Sequence, residues 1–147
     1  MIELDLRVDL LDAWSFVPTQ LDASPALEFV AADLRLTGLG GLPDAETSPF
    51  PRIFAFDGDR YVDVTRTYPA LLRADRKKAL RALAACADRQ SAADVAACRK
   101  AVGLRIVALD VLLGTGASAI SKLPLDAPTR QWLLGKRPEV AKALGVS

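Results

Sequence analysis

Histidine is absent from this chain of 147 residues. The absence removes the side chain that proteins use most often as a general base and as a metal ligand. A Ser-His-Asp triad cannot be assembled from this chain alone, and a zinc site would depend on carboxylates and two cysteines. We therefore expect no bound metal, no cofactor and no histidine-dependent catalysis.

A long uninterrupted apolar segment is also lacking. The longest apolar stretch, Leu104 to Leu113, is interrupted by Arg105 and Asp110 and is too short to cross a bilayer. The first residues alternate apolar and acidic side chains and show neither the charged nor the apolar region of a signal peptide. We expect a protein that does not span a membrane. Met1 is then either a cytosolic start or the replacement of a removed leader.

Net charge is almost lacking too, because 19 Lys and Arg residues stand against 18 Asp and Glu residues, for a formal charge of +1. A balance this close provides no whole-protein field that would attract nucleic acid or an anionic membrane. Five cations cluster near residue 77: Arg73, Arg76, Lys77, Lys78 and Arg81. On a helical wheel they spread over about 200°, which is typical of a solvated helix face. No nucleic-acid partner is expected.

The residues that are present predict an α+β fold in a single domain, residues 1–147. Hydrophobic residues make up 51% of the chain and charged residues 25%, a globular composition. Residues 1–66 are mainly β and loops, and residues 69–147 are mainly helical. Because strands precede helices without alternation, we expect a small antiparallel sheet packed against a helical hairpin plus short helices.

The β half begins with strict alternation of apolar and polar side chains over residues 2–8, which predicts a strand with one buried face. Residues 12–26 contain two prolines and are predicted to be an irregular connection. A second strand is predicted around residues 27–36. Glycines and prolines crowd residues 37–51, which predicts a long loop of the kind that is functional or mobile.

The clearest local signal is a hairpin. Residues 52–56 and 60–64 are rich in β-forming side chains and flank Asp57-Gly58-Asp59. Glycine accepts the positive φ that a twist-matched hairpin turn requires.

After Pro69 the apolar period becomes helical. One helix is predicted from Pro69 to about residue 88, with Leu72, Leu80, Leu83 and Ala87 on its apolar stripe. Ser91 and Asp94 resemble a capping box that opens a second helix, which Gly114 ends. Shorter helices are predicted at residues 117–122, from Pro128 to Gly135, and from Pro138 onward.

Cys86 and Cys98 lie on either side of the predicted turn between the two long helices. Their levels differ by about one helical turn, so their Cα atoms can approach to the roughly 4.4–6.8 Å that a disulfide needs. The alternative is a pair of reduced cysteines packed as small apolar residues. A redox-catalytic pair is disfavoured, because the spacing is not that of a C-x-x-C motif.

Asp110 lies within an apolar helical run, where burial would raise its pKa unless it is paired. A perturbed carboxylate of this kind is a candidate acid or base. A structural ion pair is the competing interpretation. No second carboxylate stands at a spacing that would place it alongside.

The run Ile53 to Arg66, its continuation through Tyr68-Pro69 to Asp75, the two cysteines and Leu112-Leu113-Gly114 resemble part of a group of exported bacterial proteins. In these periplasmic or lipoprotein-like proteins, a degenerate integrin-like β repeat of the FG-GAP type precedes a cysteine-containing helical hairpin. The resemblance implies export and a disulfide, but no reaction. The repeat's Asp-rich calcium loop is reduced here to Asp33, so calcium binding is not implied.

These observations favour a non-catalytic exported protein, periplasmic or secreted, that binds another protein or an envelope component. The predicted binding surface combines the loop at residues 37–51 with the hairpin tip, through Asp44, Glu46, Asp57, Asp59 and Arg60. One alternative is a subunit of a homo- or hetero-oligomer. Another is a hydrolase that uses carboxylates such as Asp110.

Overall fold

A computed structural model describes residues 13–23, 27–42 and 49–146. Within these ranges four strands come first: β1 (Ala13–Thr19), β2 (Glu28–Asp33), β3 (Phe50–Phe56) and β4 (Tyr61–Asp63). Four α-helices follow in the same described part: α1 (Pro69–Ala85), α2 (Ala92–Leu113), α3 (Ser118–Ser121) and α4 (Ala127–Ala143). The predicted α+β fold is confirmed. The predicted strand at residues 2–8 lies outside the described residues.

The sheet is an antiparallel meander in the order β1-β2-β3-β4. The predicted hairpin joins β3 to β4, where Phe56 pairs with Tyr61. Its loop, residues 57–60, is one residue longer than predicted and is closed by a hydrogen bond of 2.9 Å from the Asp57 N–H to the Arg60 carbonyl. Gly58 has a φ of +107°, which supplies the positive φ expected of this turn.

Two sequence predictions about the β half are wrong. Seven residues of the supposed irregular connection at residues 12–26 form β1, because Trp14, Phe16 and Val17 favour a strand and the segment pairs with β2. Pro18 is accommodated because β1 lies at one end of the described strand order, where a missing N–H is tolerated. The loop predicted for residues 37–51 ends early, since Phe50 and Pro51 belong to β3.

The helical hairpin and its disulfide are confirmed. Cys86 and Cys98 are bonded with a Cα separation of 5.6 Å, and both residues are buried. The Ser91 side chain accepts a hydrogen bond of 3.1 Å from the Asp94 N–H and caps the start of α2. Gly114, with a φ of +75°, ends that helix in the left-handed conformation typical of a helix C-terminus.

The predicted break between two C-terminal helices is wrong. Gly135 and Pro138 both lie inside α4, which is continuous from Ala127 to Ala143. Pro138 removes one hydrogen bond of the helix ladder, but Leu133 and Val140, seven residues apart on one face, are both fully buried. Packing of that face holds the helix together across the proline.

The main core lies among α1, α2 and α4. Its fully buried side chains include Leu72, Ile106, Leu109, Leu133 and Val140. Ala87, predicted on the apolar stripe, is exposed because α1 ends at Ala85. No helix in the described ranges is long and apolar enough to cross a membrane.

Candidate functional site

A groove of about 520 Å³ lies between one face of the sheet and α1. We call it the sheet–helix groove. Strands β1, β2 and β3 form its floor, and Leu71 and Asp75 of α1 form one wall. Its apolar floor includes Val17, Val30, Ala32, Phe50 and Pro51.

Strand register explains why the floor is apolar. Val17 pairs with Val30, and Ala32 pairs with Pro51. Directly paired residues project to the same side of an antiparallel sheet, so these four side chains share one face. Val17 is 56% exposed. The groove is therefore open to solvent along β1.

The carboxylate in the wall does not make the groove charged. Arg105 of α2 binds Asp75 with both ends of its guanidinium group, at 2.7 Å from Nη2 to Oδ1 and 3.1 Å from Nε to Oδ2. Both side chains are mostly buried. This bidentate pair neutralises Asp75 and fixes α1 against α2.

A polar network holds Leu21, which lines the groove. The Leu21 N–H donates a hydrogen bond of 2.9 Å to Oε2 of Glu28, a buried carboxylate. The Tyr68 hydroxyl lies 3.0 Å from Oδ2 of Asp22 and 3.4 Å from Oε1 of Glu28.

The Tyr68 phenol is a weaker acid than usual. Burial raises the pKa of Tyr68 to about 12, together with the hydrogen bond to Asp22 and the negative charge of Glu28. The hydroxyl donates to both carboxylates and so links residues 22 and 28 to the start of α1.

A second cavity, of about 310 Å³, lies where β4 meets the C-terminal ends of α2 and α4. Arg66 Nε donates to the Leu112 carbonyl at 3.2 Å, and Arg35 Nη1 donates to the Leu144 carbonyl at 3.5 Å. Cations are favourable at helix C-termini, so both arginines stabilise helix ends that line this cavity.

The charges around this second cavity are used within the protein. Asp63 accepts hydrogen bonds from Arg52 Nε at 2.8 Å and from Thr65 Oγ1 at 2.6 Å. Burial alone would raise the pKa of Asp63, but the hydrogen bonds from Thr65 and Arg52 outweigh it and hold that pKa below its usual value. Asp33 is bound by Arg35 at 2.6 Å. The second cavity is therefore a structural junction between the sheet and the helices.

Asp110, the candidate acid or base, lies in an ion pair. Arg76 donates to it at 2.6 Å from Nε to Oδ1 and at 3.2 Å from Nη2 to Oδ2. Asp110 is buried and lines neither cavity. The pair joins α1 to α2, which is the structural role that the sequence left open.

The predicted binding surface at the hairpin tip is exposed, but part of it serves the hairpin itself. Asp57 Oδ1 accepts hydrogen bonds of 2.9 Å from the N–H groups of Asp59 and Arg60. The backbone hydrogen bond from Arg60, followed by the one from Asp59, lowers the pKa of Asp57. The tip does not line the sheet–helix groove. Asp44 and Glu46 lie outside the described residues.

Sequence reasoning missed the groove because it missed β1. The sequence predicts an irregular connection for residues 12–26. Without a strand there, Val17 has no strand partner and no defined side of the sheet to which it projects. The β-forming side chains of residues 14–17 were the available signal. In the described part of the chain, no three His, Cys, Asp or Glu side chains come together in a way that could hold a metal ion.

Comparison of the chain with protein-family models, curated proteins and solved structures found no match. The resemblance to integrin-like repeats therefore stays a prediction.

Proposed function

We propose that this protein is a non-catalytic binding module that holds an extended apolar segment of a partner protein in the sheet–helix groove. The observation that carries the proposal is the apolar floor of the groove, which is open to solvent at Val17. Val17 is 56% exposed. Concave surfaces lined mainly by apolar side chains are the usual form of binding sites in folded proteins.

The shape of the groove favours a peptide segment over a compact ligand. A small-molecule site buries most of its ligand within a concave pocket, whereas this groove opens along β1. Its floor is pleated and presents alternate strand residues, here Val17 and Thr19 of β1. An extended segment has the same alternation and places every second side chain toward the floor.

The disulfide supports a compartment outside the reducing cytoplasm. Bonded cysteines persist in oxidising compartments and are rare in the cytosol. The Cys86–Cys98 bond thus favours a periplasmic or secreted location. Mass spectrometry after alkylation of the protein, taken from its own cells without reductant, checks this. Two alkylated cysteines would contradict the proposed compartment.

Val17→Asp tests the groove, with Phe56→Asp as the matched control. Both residues are exposed apolar side chains of strands, but Phe56 does not line the groove. Peptides selected from a random displayed library on the wild-type protein should carry alternating apolar residues. They should bind Phe56→Asp equally well and Val17→Asp at least tenfold more weakly.

Two results would contradict the groove proposal. One is a selection that enriches no peptide, or only peptides that bind Val17→Asp as tightly as wild type. The other is a wild-type dimer in sedimentation velocity that Val17→Asp converts to a monomer, because the groove would then be covered by a second copy of the chain.

A further inference from the structure

The exposed side of α1 has an unusual composition. Every residue of this helix that is exposed is Pro, Ala, Arg or Lys. They are Pro69, Ala70, Arg73, Ala74, Lys77, Lys78, Arg81, Ala84 and Ala85. We call Arg73, Lys77, Lys78 and Arg81 the basic face of α1. It carries four positive charges and neither a carboxylate nor a large apolar side chain.

The structure explains why this face is purely basic. Two other charged residues of α1 point toward α2, where Arg76 pairs with Asp110 and Asp75 pairs with Arg105. Removing Arg76 from the exposed set narrows the arc of cations from about 200° to about 140°, at 100° per residue. The cations therefore share one side of the helix, in contrast to the dispersed arrangement that the sequence predicted.

Charge is also unevenly distributed along the chain. Residues 64–147 contain 15 Lys or Arg against 6 Asp or Glu. The near-zero net charge of the whole protein hides this surplus. The basic face of α1 is thus part of a cationic helical half.

We propose that the basic face of α1 binds the surface of a membrane that contains anionic phospholipids, through their headgroup phosphates. On the exposed side of α1, the positions between these cations are occupied by alanine. The helix can therefore lie flat on a membrane with its four charged groups facing the membrane surface. The face has no large apolar side chain to insert into the bilayer, which makes the contact electrostatic and peripheral.

Lipid phosphates are favoured over nucleic-acid phosphates for two reasons. The face has no aromatic side chain for stacking on bases and no Asn or Gln for reading base edges. The buried disulfide indicates an oxidising compartment, and such compartments face lipid surfaces rather than the genome.

The membrane contact does not depend on the proposed function. Leu71 and Asp75 line the groove and are not part of the basic face, although Leu71 lies only about 20° from Lys78 at 100° per residue. The membrane contact uses only the four cations of the basic face.

Vesicle flotation of the purified, disulfide-bonded protein tests the proposal. We expect binding to phosphatidylcholine vesicles with about 30 mol% phosphatidylglycerol and little binding to pure phosphatidylcholine. Added salt should release the protein, because salt screens the attraction between its cations and the headgroup phosphates. The variant R73Q/K77Q/K78Q/R81Q should bind on the order of 600-fold more weakly, since each of the four cations near such a surface contributes about fivefold.

The matched control removes the same charge elsewhere, as R60Q/R89Q/K122Q/K142Q. All four of these residues are exposed and lie outside α1. The control should keep most of the wild-type affinity, and both variants should melt close to wild type because the changed residues are on the surface. Equal losses in the two variants would overturn the proposal, since only net charge would then matter. Absence of binding to anionic vesicles at low salt, or tighter binding to duplex DNA in the same buffer, would overturn it as well.

Discussion

The helical half and the sheet half of this molecule bury different kinds of side chain. From residue 101 to residue 112 of α2 every residue except Arg105 is buried, and nearly all of them are apolar. In the sheet half the buried residues include Glu28, Asp33 and Arg52. A buried charge costs free energy unless it is paired. The helices therefore depend mainly on apolar packing, with two ion pairs between α1 and α2, whereas the sheet half combines buried apolar residues with buried charged ones.

This difference also separates the two surfaces. The helices place apolar residues inside and leave surplus cations outside, which produces the basic face of α1. The sheet places charged pairs such as Arg35–Asp33 inside and leaves apolar residues such as Val17 on an open face. The helical half thus exposes a basic surface and the sheet half an apolar one, so each half offers a different kind of contact.

The largest effect is expected from the helical core. Leu109→Ala removes a fully buried side chain of α2 and should lower the free energy of unfolding by about 2–5 kcal/mol, through lost transfer free energy and a new cavity. Urea unfolding followed by circular dichroism measures it. Leu113→Ala, at a half-buried position of the same helix, should cost clearly less. Equal losses would mean that the helical core does not dominate stability.

A somewhat smaller effect is expected from the disulfide. The bond closes a loop across 12 positions, so Cys86→Ala combined with Cys98→Ala should cost about 3 kcal/mol, chiefly by freeing the unfolded chain. Urea unfolding of the double variant measures the loss, and hydrogen exchange should show that α1 and α2 open first. A loss below about 1 kcal/mol would show that the turn between the helices is already restricted in the unfolded chain.

Local signals made several elements predictable. The hairpin depends on Asp57-Gly58, the start of α2 on the Ser91 cap and its end on Gly114. Each of these acts within a few residues of chain, where backbone preferences decide. The disulfide could be predicted for a similar reason, because the rise per residue of a helix fixes the positions of Cys86 and Cys98 along a tight helical hairpin.

The features that the sequence did not predict depend on contacts between residues far apart in the chain. Strand β1 exists because residues 13–19 pair with β2, despite Pro18. Helix α4 continues through Pro138 because Leu133 and Val140 are buried together. The groove needs both β1 and α1, so it could not be recognised from either segment alone.

Charge pairing shows the same limit. Arg76 and Asp110 lie 34 positions apart along the chain, and no local pattern joins them. Counting charges on a helical wheel therefore overestimated the width of the basic face and left the role of Asp110 open. Only the packing of α1 on α2 shows which cations of α1 form ion pairs between the helices and which are exposed to solvent.

The smallest effect, and the one specific to the sheet, is expected from Asp63→Asn. Asp63 ties Arg52 to Thr65, and the side chain of Asp63 is 32% exposed. We expect a loss of about 1–2 kcal/mol at neutral pH, because the ion pair with Arg52 is replaced by a hydrogen bond from a charged guanidinium to a neutral amide.

The pH dependence of that loss identifies the carboxylate. The folded-state pKa of Asp63 lies below its ordinary value of 3.8, so its contribution is complete above that value and disappears as pH falls through the folded pKa. Wild type and Asp63→Asn should therefore differ at neutral pH and converge in acid, in urea unfolding followed at several pH values. A gap that stays constant down to the lowest pH would show that asparagine disturbs packing and that the charge of Asp63 does not stabilise the sheet.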